Sequence, residues 1–182
     1  MITENFNLQP EKLEDDLIQI IPLTENYFDQ LFEVAQDPLI WEVHLVKDRY
    51  KKEVFKTYFD GAVASKSSFL VFDKATGELI GSTRYYNYQP GLSRIAIVYT
   101  FIARKYWGGS YNKSMKTLLL EHVFKYVNSV VFHVGKENIR SQKAVLKIGG
   151  KKIGELDFAS TGQLTHYEYE IKKGEWEART NP

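Results

Sequence analysis

Ile95-Ala96-Ile97-Val98-Tyr99-Thr100-Phe101-Ile102-Ala103 runs into Arg104-Lys105-Tyr106-Trp107-Gly108-Gly109-Ser110 and then Tyr111-Asn112-Lys113. The first nine residues are apolar on both faces and bracketed by arginines, which predicts a central strand buried on two sides. Downstream, Met115, Leu118, Leu119, His122, Val123, Tyr126 and Val127 fall on one helical stripe. A buried strand therefore opens through a glycine turn onto an amphipathic helix. The first N–H groups of such a helix have no internal acceptor, and its dipole puts partial positive charge there. Glycines let the backbone approach a ligand closely, so a phosphate or pyrophosphate is the natural guest. The same two glycines also serve a plain tight turn. Neither G-x-G-x-x-G after a strand nor G-x-x-x-x-G-K-[ST] occurs, which argues against dinucleotide-binding and P-loop chemistry.

Outward from this segment, the pattern alternates. Leu17 to Pro22 reads as a short strand, and Thr24 is placed to cap a helix carrying Tyr27, Phe28, Leu31, Phe32 and Ala35, ended by Asp37-Pro38. Lys51 to Ala64 repeats the helical pattern. Phe69 to Phe72 and Leu79 to Tyr88 form a hairpin about a glycine-bearing turn. After the long helix, Val130 to Val134 is a buried strand, Asn138 caps a short helix ended by Gly149-Gly150, and 153–158 with 166–171 close as an antiparallel pair. Met1 to Asp16 reads as a polar arm and Gly174 onward as a polar tail. The expectation is a mixed α/β fold in one domain over 1–182, with at least one crossover.

The sequence has 182 residues, 24 basic against 23 acidic side chains, and a formal charge of +1. That balance argues against a nucleic-acid partner or an anionic membrane surface. Zero cysteines exclude a disulfide scaffold, a thiolate zinc site and a cysteine nucleophile. No histidine pair has metal-ligand spacing, so no metal is expected. The nine-residue apolar run is too short to span a bilayer, and no signal-like start is visible; a cytoplasmic location is expected.

Read whole, Tyr99 to Lys113 resembles the phosphate-binding motif of the GNAT acetyltransferase superfamily, in its RimJ/RimL-like version. Asn138-Ile139-Arg140-Ser141-Gln142-Lys143-Ala144, followed by Lys147-Ile148-Gly149-Gly150, resembles the Asn-x-x-Ser helix of the same branch. The likeness extends over about Leu17 to Trp176. It implies a mostly antiparallel central sheet flanked by helices, with a splayed central strand. It also implies acetyl-CoA as co-substrate: the backbone at Phe101 and Ile102 along the pantetheine arm, Trp107, Gly108, Gly109, Ser110, Tyr111 and Asn112 around the pyrophosphate, and Asn138 on the arm from the following helix. Ser110 stands where the family has a second glycine, and Lys105 where many members have Arg or Gln.

The implied reaction is direct attack of an amine on the thioester, without a covalent acetyl-enzyme. Ser141 is the candidate proton donor, or at least hydrogen-bond donor, to the leaving sulfur, and the Phe101-Ile102 backbone a candidate oxyanion donor. A thiol leaves readily, and an α-amine loses its proton more easily than a lysine amine. Glu42 or His44 is the candidate base. Tyr99 is a candidate for lining the acetyl pocket, and Arg84 for facing the acceptor cleft. The acceptor is a small-molecule amine or a protein N-terminus, and a homodimer remains open. The alternative is a non-catalytic acyl-CoA-binding module.

Overall fold

A computed structural model describes residues 6–181. Its eight strands form one sheet in the order β1-β2-β3-β4-β5-β6-β8-β7. They are β1 (Leu13–Glu14), β2 (Ile18–Pro22), β3 (Ser68–Asp73), β4 (Leu79–Gln89), β5 (Arg94–Ile102), β6 (Ser129–Gly135), β7 (Lys151–Leu156) and β8 (His166–Lys172). The helices are α1 (Phe28–Ala35), α2 (Pro38–Trp41), α3 (Lys52–Ala64), α4 (Tyr111–Val123), α5 (Ile139–Lys147) and α6 (Lys173–Thr180). β5 pairs parallel with β6 over Arg94–Ile97 against Ser129–Phe132. β1–β2, β2–β3, β3–β4, β6–β8 and β7–β8 are antiparallel. This is the mixed sheet that the alternation predicts, mostly antiparallel as the family resemblance implies.

The chain divides into two compact units: the first comprises 7–84 and 99–119, and the second Phe6, 85–98 and 120–181. The first unit holds a core rich in aromatic side chains. On α3 the spacing of Phe55, Tyr58, Phe59 and Ala62 puts all of them on one buried face, packed with Leu31, Trp41 and Phe101. Asp37 accepts from the Leu39 N–H at 3.0 Å, and Pro38 takes the first helical position, so α2 begins where α1 stops. Trp41 is buried and its indole N–H donates to the Ala35 carbonyl at 2.6 Å. Part of the expected polar arm is in fact structured. Asp15 accepts from the Leu17 and Ile18 N–H groups at 2.8 and 2.9 Å, a side-chain turn that folds β1 back onto β2.

In the second unit, β6 is buried along most of its length between β5 and β8. Phe6 stacks on Tyr126 with ring centres 4.6 Å apart, so this residue too departs from a free arm; residues 1–5 of that stretch lie outside the described residues. Gly149, at φ +99°, ends α5 in the left-handed conformation that glycine adopts without Cβ strain. The expected polar tail is the helix α6. Its Trp176 is 7% exposed, and its Arg179 donates to the Lys147 carbonyl at 3.2 Å.

Candidate functional site

The decisive segment folds as a strand, a tight turn and a helix. Within β5, Tyr99 takes φ +54°, a left-handed conformation that costs an ordinary residue energy and breaks the strand's regular pleat. The break is braced: the Tyr58 hydroxyl donates to the Tyr99 carbonyl at 2.8 Å, and the Thr83 and Thr100 hydroxyls bond at 2.8 Å. β5 then approaches β4 so closely that a Cβ on Gly81 would lie 2.1 Å from the Phe101 carbonyl oxygen.

After Ile102 the chain makes a single 3-10 turn, Arg104–Tyr106, and the Trp107 indole N–H donates back to the Ile102 carbonyl at 2.9 Å. The cationic side chains here are already engaged. Arg104 pairs with Asp37, and Lys105 with Glu78 at 2.6 Å, while the Tyr106 hydroxyl donates to the same Glu78 carboxylate at 2.9 Å. Lys105 and Tyr106 accordingly hold the Glu78 carboxyl below its usual range. What the turn presents is backbone. Gly108 has φ +74°, and a Cβ there would meet nothing within 4 Å. Ser114 N–H donates to the Ser110 carbonyl at 2.8 Å as a bond of the first helical turn, so the N–H groups of Tyr111, Asn112 and Lys113 have no acceptor inside α4.

Side chains fix the helix start from beneath. The Tyr111 hydroxyl donates to Asp73 at 3.1 Å, Ser114 donates to the Asp15 carboxylate, and Lys116 donates to the Asn112 side-chain carbonyl at 3.3 Å. An open glycine turn leading onto a pinned helix whose first N–H groups have no acceptor within the helix suits a diphosphate. The residues present therefore fit the anionic portion of a nucleotide-linked co-substrate.

An aromatic wall lies in the same unit. Trp41 packs against Phe101 with ring centres 4.9 Å apart, and Tyr58 against Tyr99 at 6.1 Å. The Arg84 guanidinium stacks over Tyr99 at 4.3 Å, and Arg49 over Tyr58 at 5.0 Å. Burial pushes the Tyr58 hydroxyl up in pKa and the Arg49 guanidinium down. Glu42 is exposed just past α2, and His44 rests edge-on against Trp41 at 5.2 Å. Arg49 escapes a reading of the sequence, because nothing in the Val43–Lys51 stretch forecasts its approach to Tyr58.

Asn138 and Ser141 belong to the second unit. Asn138 is 6% exposed, and its side-chain carbonyl accepts from the Ser141 N–H at 3.1 Å, the cap that the spacing predicts for α5. Ser141 is half-buried in the first turn. Thus Tyr99, Phe101, Ile102 and Trp107 to Asn112 lie along one ledge of chain, from the end of β5 through the turn to the start of α4, with Asn138 and Ser141 at the start of α5 and Glu42 at an exposed position. Among the described residues, no group of three or more His, Asp or Glu side chains is placed to hold a metal ion, and no helix is long and apolar enough to cross a membrane.

The acetyltransferase (GNAT) domain family matches residues 18–151. No curated protein matches the sequence. Among solved structures, a GCN5-related N-acetyltransferase from Brucella melitensis is 19% identical, with 96% of this chain and 86% of that one covered at a TM-score of 0.78. An acetyltransferase of the GNAT family from Bacillus anthracis is 17% identical over 90% of this chain and 99% of its own, with a TM-score of 0.74. Spermidine N-acetyltransferase from Vibrio cholerae, solved with CoA and spermine, is 14% identical over 89% and 99%, with a TM-score of 0.69. At these identities the likeness is one of fold.

Proposed function

The chain belongs to the GNAT acetyltransferase family, and from that premise we propose that it transfers an acetyl group from acetyl-CoA directly to a primary amine. It is an acyltransferase. The observation that carries the site assignment is the open turn at Gly108, running onto the start of α4, whose first N–H groups have no acceptor within the helix. Backbone N–H groups from Gly108 to Asn112 hold the pyrophosphate, with the Trp107 ring locked against Ile102 beneath them. Acetyl-CoA supplies an activated acyl group whose thiol departs readily.

The protein's part is to place and polarise. The break at Tyr99 leaves the Phe101–Ile102 backbone to lie along the pantetheine arm and to present N–H groups to the reacting carbonyl oxygen. Asn138 bonds the arm, and the Ser141 hydroxyl donates a hydrogen bond to the departing thiolate, which takes its proton from water. Tyr99 lines the acetyl pocket. Glu42 takes the proton from the amine through water, a role its exposure permits. The acceptor is a small amine or a protein N-terminus, handled in the manner of the RimJ/RimL-like branch. One domain over 1–182, acting in the cytoplasm, completes the proposal, supported by a family match that draws on both compact units.

Incubation with acetyl-CoA and a panel of primary amines, following thiol release, tests the reading. Amine-dependent release is expected. Firm CoA binding with no release above background for any amine would leave only an acyl-CoA-binding module.

A further inference from the structure

Arg84 and Arg49 bring two guanidinium groups to one aromatic ring. Their central carbons lie 5.6 and 5.0 Å from the centre of Tyr58. Arg84 also covers Tyr99 at 4.3 Å, and Arg49 covers Trp41 at 5.5 Å. Arg84 is 8% exposed. One of its terminal nitrogens donates to the Tyr58 carbonyl at 3.3 Å, but its buried Nε has no acceptor among the described residues.

Buried cations are normally paired with an acid. Here neither the buried Arg84 nor the half-buried Arg49 has a carboxylate within ion-pair distance among the described residues. Asp48, next to Arg49 in sequence, makes its ion pair with Lys51 at 3.8 Å. The two arginines also repel one another, and the aromatic faces that flank them return only part of the cost of burial. Two like charges collected around one ring, with a buried donor left over, form a site complementary to an anion.

We propose that Arg49 and Arg84 bind an oxyanion, a carboxylate or a phosphate, carried by the acceptor amine. The inference rests on the acetyl-transfer reading, because Tyr99 begins the ledge assigned to the acetyl donor. It makes the acceptor a zwitterion such as an amino acid, and disfavours polyamines, whose added positive charge meets the same two guanidinium groups. A guanidinium offers parallel N–H donors that match the oxygens of either oxyanion, and Arg84 has its Nε still to give. The pair also raises the cost of a protonated amine nearby, which favours the neutral form that attacks.

Calorimetry on CoA-saturated protein tests this directly. The ligands are N-acetyl amino acids, their carboxamides, and N-acetyl phosphoethanolamine beside its uncharged alcohol. The charged member of at least one pair is expected to bind about tenfold or more tightly, the difference one charged hydrogen bond makes. Arg84→Gln and Arg49→Gln should each reduce that preference. Arg49 is only partly buried, so its variant keeps the test valid if Arg84→Gln fails to fold. Equal binding within both pairs, no binding at all, or an undiminished preference in Arg49→Gln overturns the assignment. Thiol release is scored separately. Charge-dependent binding without acetylation of any amine would uphold the oxyanion site and remove the transfer reading, whereas acetylation of uncharged amines with no binding preference would do the reverse.

Discussion

Gly108 and Gly81 show two different reasons for the absence of a side chain. At Gly108 space is free and the backbone angle is the constraint, φ +74°. Gly108→Val forces a β-branched residue into the left-handed region at a cost of about 1–3 kcal/mol, and it places methyl groups where the pyrophosphate is assigned. The expected outcome is a cooperatively folded protein whose CoA affinity, measured by calorimetry, is lost; unchanged affinity would refute the cradle. At Gly81 the constraint is the opposite one. A Cβ would sit 2.1 Å from the Phe101 carbonyl oxygen and 2.9 Å from the Ile102 Cα. Both are backbone atoms and cannot swing aside. Gly81→Ala should therefore cost about 3 kcal/mol or more, read as a lowered melting temperature, with the strain falling on the Phe101–Ile102 ledge.

The elements legible in the sequence are those whose signals are local. The apolar run of β5, the glycine turn and the stripe of α4 lie within twenty-nine residues, Ile95 to Val123, although the apolar pattern runs on to Val127 past the helix end, and Asn138 announces α5 through its own cap. β1 is two residues long, too short to carry a period, and α6 buries chiefly Trp176 on an otherwise polar segment, so no stripe betrays it. The Arg49–Arg84 pair was hidden for another reason: it joins residues from a loop and a strand through the ring of a third element. The α5 cap yields a clean separation of stability from binding. Asn138→Ala removes the acceptor of the Ser141 N–H and should cost about 1 kcal/mol in urea unfolding. Asn138→Asp keeps that acceptor but loses the amide donors. Near wild-type stability with weakened CoA binding is expected, and full CoA affinity in the Asp variant would remove Asn138 from the proposed contact with the pantetheine arm.

A net charge of +1 is compatible with two anion-binding assignments because both rest on local donors, backbone N–H groups in one case and two guanidiniums in the other. The global charge is therefore a poor guide to ligand sign, and the pH dependence of stability is set by a few buried groups. Burial lowers the His133 pKa against the upward pull of Glu168, and burial likewise lowers His166. Below about pH 6.5 the unfolded chain takes up these protons before the folded one, so stability falls as pH drops through that value. Lys116 controls the alkaline side. It is 6% exposed, and burial lowers its pKa from 10.5 to about 8. Between these two values the folded protein has released the proton while the unfolded chain still holds it. Stability therefore rises with pH across that window, by at most about 3 kcal/mol from this group. Above about pH 10 the trend reverses, since burial keeps Tyr58 and Tyr85 protonated while unfolded tyrosines ionise. Urea unfolding of the wild type and Lys116→Met at intervals from pH 7 to 10 isolates the lysine. The wild-type curve should gain on the variant as pH rises past 8, and parallel curves would show that Lys116 remains charged in the folded protein.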